Sequence, residues 1–178
     1  MYPMTAGSRQ PSAYPPGQAP PPEIVLVGAH GGAGVTTLAG LLRPAWDMGT
    51  VRRLGPGRGP LRPAGRPVLL VTRNTVTASG RAVAAARLLG EQGVPVAVLA
   101  VVGDGLPEPA EARYRFRVLE GRVGAVVRMP FVPAFRVTAD PSRVDLPRRA
   151  RQALAEIRAL AREQAPRPAP ATRVQGRF

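Results

Sequence analysis

The 178-residue chain has a formal net charge of +14, no cysteine, one histidine, and 25 basic residues that are all arginine. Disulfides, thiolate metal sites, histidine-rich metal sites and any chemistry that needs a lysine are thereby excluded. The length allows one domain, and the charge fits an anionic partner such as nucleic acid, acidic lipid or nucleotide phosphate. The arginines are spread along the chain rather than gathered in one block. That spread favours a codon bias towards Arg, Ala, Gly and Pro over a dedicated basic patch.

Residues 1–22 are rich in Pro, Gly, Ser and Gln and end in Pro20-Pro21-Pro22. Such a segment buries too little apolar surface to offset its ordering entropy, so a disordered tail is expected. No positive-then-apolar signal pattern opens the chain, and the apolar run from Val94 to Val102 is too short to cross a bilayer. A soluble, cytoplasmic protein without a transmembrane segment is expected.

A buried strand over Glu23–Val27 leads into a glycine-dense run, Gly28 to Gly34, and then a helix from Thr36 to about Leu42. Arg43-Pro44 stops that helix, because the residue before a proline is pushed out of the α region. From Ala45 to Arg66 glycine and proline dominate. This stretch reads as a long solvated loop holding Trp46, Asp47 and five arginines, Arg52, Arg53, Arg58, Arg62 and Arg66. Pro67 to Thr72 is a continuous apolar run suited to a parallel strand covered on both faces. Asn74 or Thr75 caps a helix over roughly Ala78–Leu89, which Gly90 and Gly93 end.

Val96 to Val102 is the next strand. Ala110 to Glu120 suits a helix by its place between strands, although Tyr114, Phe116 and Val118 alternate as in a strand. Ala125 to Met129 is a further strand. Leu146 to Glu163 is an amphipathic helix, with Leu154, Ile157, Leu160 and Ala161 on one face and arginines largely elsewhere. A second disordered tail is expected from Ala165. The predicted domain, 23–164, is α/β: a small parallel sheet flanked by helices. Ligands in such folds bind beyond the carboxyl ends of the strands, where Gly28–Thr36, Thr72–Asn74 and Gly103–Asp104 all fall.

Strand, glycine loop and helix in succession form a phosphate-binding loop, in which backbone N–H groups meet an anion. The candidate ligand-binding residues are Gly31, Gly32, Ala33, Gly34, Val35, Thr36 and Thr37. The working motif G-x-x-x-x-G-K-[ST] has a lysine where this chain has Val35.

This stretch resembles the deviant Walker A loop of ParA/MinD-type P-loop ATPases, K-G-G-x-G-K-[ST]-[ST]. On that pattern His30 stands at the signature lysine, and Gly31, Gly32 and Gly34 match the glycines. Val35 replaces the second lysine, and Thr36 and Thr37 match the hydroxyl pair, which makes the Thr36 hydroxyl the implied metal ligand of a Mg²⁺–nucleotide. The resemblance continues through Val68–Asn74, Val96–Gly103 and Gly121–Pro130. The loop also resembles that of an uncharacterised group of actinobacterial, plasmid-type proteins. The resemblance implies a P-loop fold, ATP with Mg²⁺ as ligand, and service to a mobile element. It also implies a switch aspartate and a Walker B aspartate between Leu42 and Pro67, where the sequence presents only the proline-glycine loop.

On these grounds the chain reads as a catalytically degenerate domain, not an enzyme, that acts as a scaffold or regulatory partner of another protein. Nucleotide is expected to bind weakly or not at all. One alternative is a weak ATP/GTP binder using the glycine loop without efficient hydrolysis. Another is a non-specific nucleic-acid-binding accessory protein using arginine-rich surfaces. A minor alternative is dinucleotide binding, since Gly28-x-x-x-Gly32-x-Gly34 also fits the turn of short-chain dehydrogenases, with Arg73 placed for a 2′-phosphate. Those enzymes need a Tyr-x-x-x-Lys pair, which a chain without lysine cannot supply. His30 reads as a local hydrogen-bonding residue able to donate to a phosphate when protonated.

Overall fold

The computed structural model describes residues 24–53 and 59–164. The expected tails over 1–22 and 165–178, and the middle of the expected glycine-proline loop, lie outside the described residues. Five strands form one parallel sheet: β1 (Ile24–Gly28), β2 (Ala45–Thr50), β3 (Val68–Arg73), β4 (Val96–Val102) and β5 (Ala125–Met129). Four α-helices accompany them: α1 (Val35–Leu41), α2 (Val76–Glu91), α3 (Ala110–Glu120) and α4 (Arg148–Glu163). The strand order is β2-β1-β3-β4-β5 with every pairing parallel. From β1 the chain turns to one side for β2 and to the other for β3, so the topological switch point lies between β1 and β3.

The central strands are apolar on both faces because both are covered. Leu26, Leu69, Val71, Val98 and Ala100 enter a core with α1 and α4, and Val25, Val27, Leu70, Leu99 and Val101 enter one with α2 and α3. Alternation along each strand divides these two sets. In α3, Ala112, Phe116 and Leu119 are buried at helical spacing, so the helix reading holds over the strand alternation. In α4 the buried face is Ala150, Ala153, Leu154, Ile157 and Ala161. Thr75 caps α2 by accepting the Ala78 amide.

One expectation is corrected. The stretch from Ala45 is not loop throughout: Ala45–Thr50 is β2, the edge strand beside β1. A short 3₁₀ turn, Val51–Arg53, follows it. Val51 and Leu61 are buried in the α2/α3-side core, and the Arg66 guanidinium stacks over the Trp46 ring at 3.8 Å. The physical reason is that Trp46, Val51 and Leu61 supply enough apolar surface to bind the segment to the sheet edge despite its glycines and prolines.

Candidate functional site at the carboxyl ends of the strands

The glycine loop leaves β1 at Gly28, a position with no room for a side chain. A Cβ there would lie 2.9 Å from a Val35 methyl and 3.0 Å from the His30 carbonyl oxygen. Gly32 and Gly34 adopt positive φ, 75° and 101°, as the loop reading requires. Gly31 does not have positive φ, and a Cβ on it would meet nothing within 4 Å. Gly34 is the N-cap of α1, which begins one residue earlier than expected and places Val35 rather than Thr36 at its first position. The amides of Val35, Thr36 and Thr37 have no acceptor within the helix.

A cleft of about 1260 Å³ opens over this loop. All seven candidate residues, Gly31, Gly32, Ala33, Gly34, Val35, Thr36 and Thr37, line it. Their exposures differ: Gly31, Gly32 and Thr36 are exposed, Gly34 and Thr37 half-buried, and Ala33 and Val35 buried. The burial of Val35 turns an apolar side chain into the α1-side core at the position of the motif's phosphate-binding lysine.

The sequence reading held Asp47 in a solvated loop and gave it no role in the site. The Thr36 hydroxyl donates to Asp47 Oδ2 at 2.7 Å, and the Gly49 amide donates to Asp47 Oδ1 at 2.8 Å. Positive φ at Gly49, 73°, and a register slip between Leu26 and Gly28 against β2 accompany this arrangement. Among the described residues lining the cleft Asp47 is the one carboxylate, and it lies on the same wall as the loop. Trp46 was the usable signal: a large aromatic needing burial inside an otherwise polar, glycine-rich stretch.

His30 is 7% exposed, and its Nδ1 donates to the adjacent Gly31 carbonyl at 2.8 Å. Its Nε2 is buried without a partner among the described residues. The ring thus bonds locally through one nitrogen, and His30 is among the residues lining the cleft. Of the other residues the sequence placed near the strand ends, Arg73 and Gly103 join the cleft. Thr72 donates to the Ala78 carbonyl and so faces α2 instead. Asp104 accepts the Leu106 amide at 2.9 Å, a bond that, against a small opposing effect of burial, holds its carboxyl below the usual carboxylate range.

Among the described lining residues, Arg52, Arg73 and Arg136 face that single carboxylate, so the field of the cleft favours an anion. The far wall is apolar and aromatic. Phe131, Val132 and Phe135 follow β5 there, and Arg136 sits over the Phe131 ring at 4.9 Å. Among the described residues no group of three or more His, Cys, Asp or Glu side chains could hold a metal ion, and no helix is long and apolar enough to cross a membrane. Comparison with protein-family models, curated proteins and solved structures yields no significant match, so the chemistry of the site is read from its own residues.

Proposed function

We propose that the chain is a catalytically degenerate, ParA/MinD-like P-loop domain. In this reading it holds a phosphorylated ligand, ATP with Mg²⁺ in the first place, without efficient turnover, and serves as a scaffold or regulatory partner. The observation that carries the binding half is the Thr36–Asp47 hydrogen bond beside the glycine loop. It supplies a hydroxyl and a carboxylate at one place, the donor set a hard cation prefers. Asp47 thereby stands in for the acidic group that the resemblance implies and the sequence reading did not find.

The residues present fit a Mg²⁺–nucleotide in part. Thr36 and Asp47 would hold the cation, and the nucleotide's own phosphates and water would complete its oxygen shell, because Mg²⁺ is seldom caged by protein alone. Bound there, Mg²⁺ would neutralise phosphate charge. The glycine backbone receives the phosphates, and the Phe131–Phe135 wall offers an apolar surface to a base.

The catalytic half is absent from the residues. Val35 brings no charge to the transferring phosphoryl group, whose stabilisation depends on such cations. Asp47 is already engaged by Thr36 and Gly49, and the His30 Nδ1 by the Gly31 carbonyl. No other carboxylate among the described lining residues is available to position a water. Calorimetric titration with ATP, with and without Mg²⁺, tests the binding half on wild type, Thr36→Ala and Asp47→Ala. Mg²⁺-dependent binding lost in both variants is expected, whereas binding indifferent to Mg²⁺ and to both substitutions would remove Thr36 and Asp47 from the site. Steady-state phosphate release well above background, abolished by Thr36→Ala, would contradict the catalytic half.

A further inference from the structure

We infer that Arg73 supplies the positive charge at the glycine loop that Val35 withholds, so that the ligand's phosphates are held between the loop and the end of β3. This rests on the phosphate-binding reading above. The parallel register sets Val71 opposite Gly28, the last residue of β1. Arg73 therefore stands two residues past the level at which β1 gives way to the loop. Leu69 and Val71 enter the core shared with α1, while Leu70 enters the other core and Thr72 bonds to α2. Alternation then assigns Arg73 to the α1 face, the face of the loop.

A second contact chain leads to the same place. The register partner of Arg73 on β4 is Val102, whose methyl carbons lie 3.7 and 4.0 Å from where a Cβ on Gly34 would sit. Arg73 and Gly34 thus flank the same valine. Among the described residues the guanidinium makes one long hydrogen bond, Nη1 to the Gly103 carbonyl at 3.4 Å. Most of its five N–H donors remain for a ligand. Asp104 is the acidic group whose field it meets, and no ion pair closes between the two among the described residues. Of the three arginines lining the cleft, Arg52 and Arg136 are exposed and Arg73 is half-buried. A charge-assisted bond to phosphate is stronger where water screens it less. A lysine on the loop reaches a phosphate as a point charge, whereas an arginine on the strand can grip it with two parallel bonds.

The test is calorimetric titration of the full chain with two probes, Mg²⁺–ATP and inorganic pyrophosphate. Wild type is compared with Arg73→Ala, Arg73→Gln, Arg73→Lys, Arg52→Ala and the double variant Val35→Lys/Arg73→Ala, each checked for folding by circular dichroism. Loss of the Arg73 guanidinium should weaken both probes by about tenfold or more, the size of one charge-assisted hydrogen bond. Arg73→Lys should recover part of that loss, Arg52→Ala should cost less, and Val35→Lys should compensate for the missing arginine in the double variant. If wild type binds and folded Arg73→Ala or Arg73→Gln binds equally well, Arg73 is not the compensating cation, and phosphate binding itself stands. Loss of Mg²⁺–ATP affinity with pyrophosphate affinity intact, or a folded double variant without recovery, also overturns the assignment. If wild type binds neither probe, both this inference and the reading beneath it fall.

Discussion

Gly34 combines a φ of 101° with a place against the Val102 side chain. A β-branched residue cannot adopt that backbone without strain, so Gly34→Val should lower stability by about 1–3 kcal/mol in urea unfolding. Gly31→Ala should leave stability nearly unchanged, because Gly31 has neither positive φ nor a neighbour within reach of a Cβ. Equal losses at the two positions would show that the loop conformation described here is not the one in solution. Asp104 carries a pH signature. The Leu106 amide, chiefly, stabilises its ionised form. A carboxyl whose folded pKa is depressed contributes stability above its unfolded pKa of about 3.9, and that contribution is lost as pH falls through the lower folded value. Asp104→Asn should therefore be less stable than wild type at neutral pH. The gap should close on acidification below about pH 4, as measured by urea midpoints across the range. A gap that persists unchanged at low pH would mean the charge is not what matters.

At the scale of elements, α1 is the weak link, since it has only seven residues. Arg158 of α4 donates to the carbonyl of Leu41, the last residue of α1, at 2.6 Å. This contact joins two elements 117 residues apart and satisfies a carbonyl left open at the helix end. Arg158→Ala should cost about 1.5–3 kcal/mol of stability, the range for a hydrogen bond to a charged group. Hydrogen exchange should quicken first over α1, whereas faster exchange confined to α4 would deny the link. The elements legible in the sequence were those with a dense signal. Continuous apolar runs marked β3, β4 and β5, Thr75 and the flanking glycines marked α2, and the 3.6-residue apolar stripe marked α4. Strand β2 was not legible because an edge strand needs little apolar surface, and Asp47, Met48 and Gly49 do not alternate. Without β2 the role of Asp47 was not legible either, because its bond to Thr36 depends on the pairing of β1 with β2. The seven loop residues could be located because their spacing is local, and Arg73 because it ends the apolar run of β3; the Thr36–Asp47 bond and the face that Arg73 takes follow from sheet register, which no local pattern carries.

For the molecule as a whole, the +14 charge has few carboxylates to offset it, with 11 acidic residues against 25 arginines. Arg148, Arg149, Arg151 and Arg162 lie outside the buried stripe of α4. The full chain is expected to attract polyanions without sequence preference, with affinity for duplex DNA of any sequence falling steeply as salt rises. Fluorescence anisotropy over a salt series checks this. Tight binding that persists at high salt would point instead to base readout, and no binding at low salt would leave the arginines as codon bias.

In the proposed reading the cleft holds a Mg²⁺–nucleotide through Thr36 and Asp47 although the motif lysine is gone. A ligand that binds only the folded state raises the melting temperature by mass action. The most direct measurement is thermal melting of the full chain with and without Mg²⁺–ATP, alongside Thr36→Ala and Asp47→Ala. A rise in wild type is expected that both substitutions erase, each variant being compared with its own ligand-free melting temperature. No rise in wild type at millimolar Mg²⁺–ATP, or a rise that survives both substitutions, would contradict it.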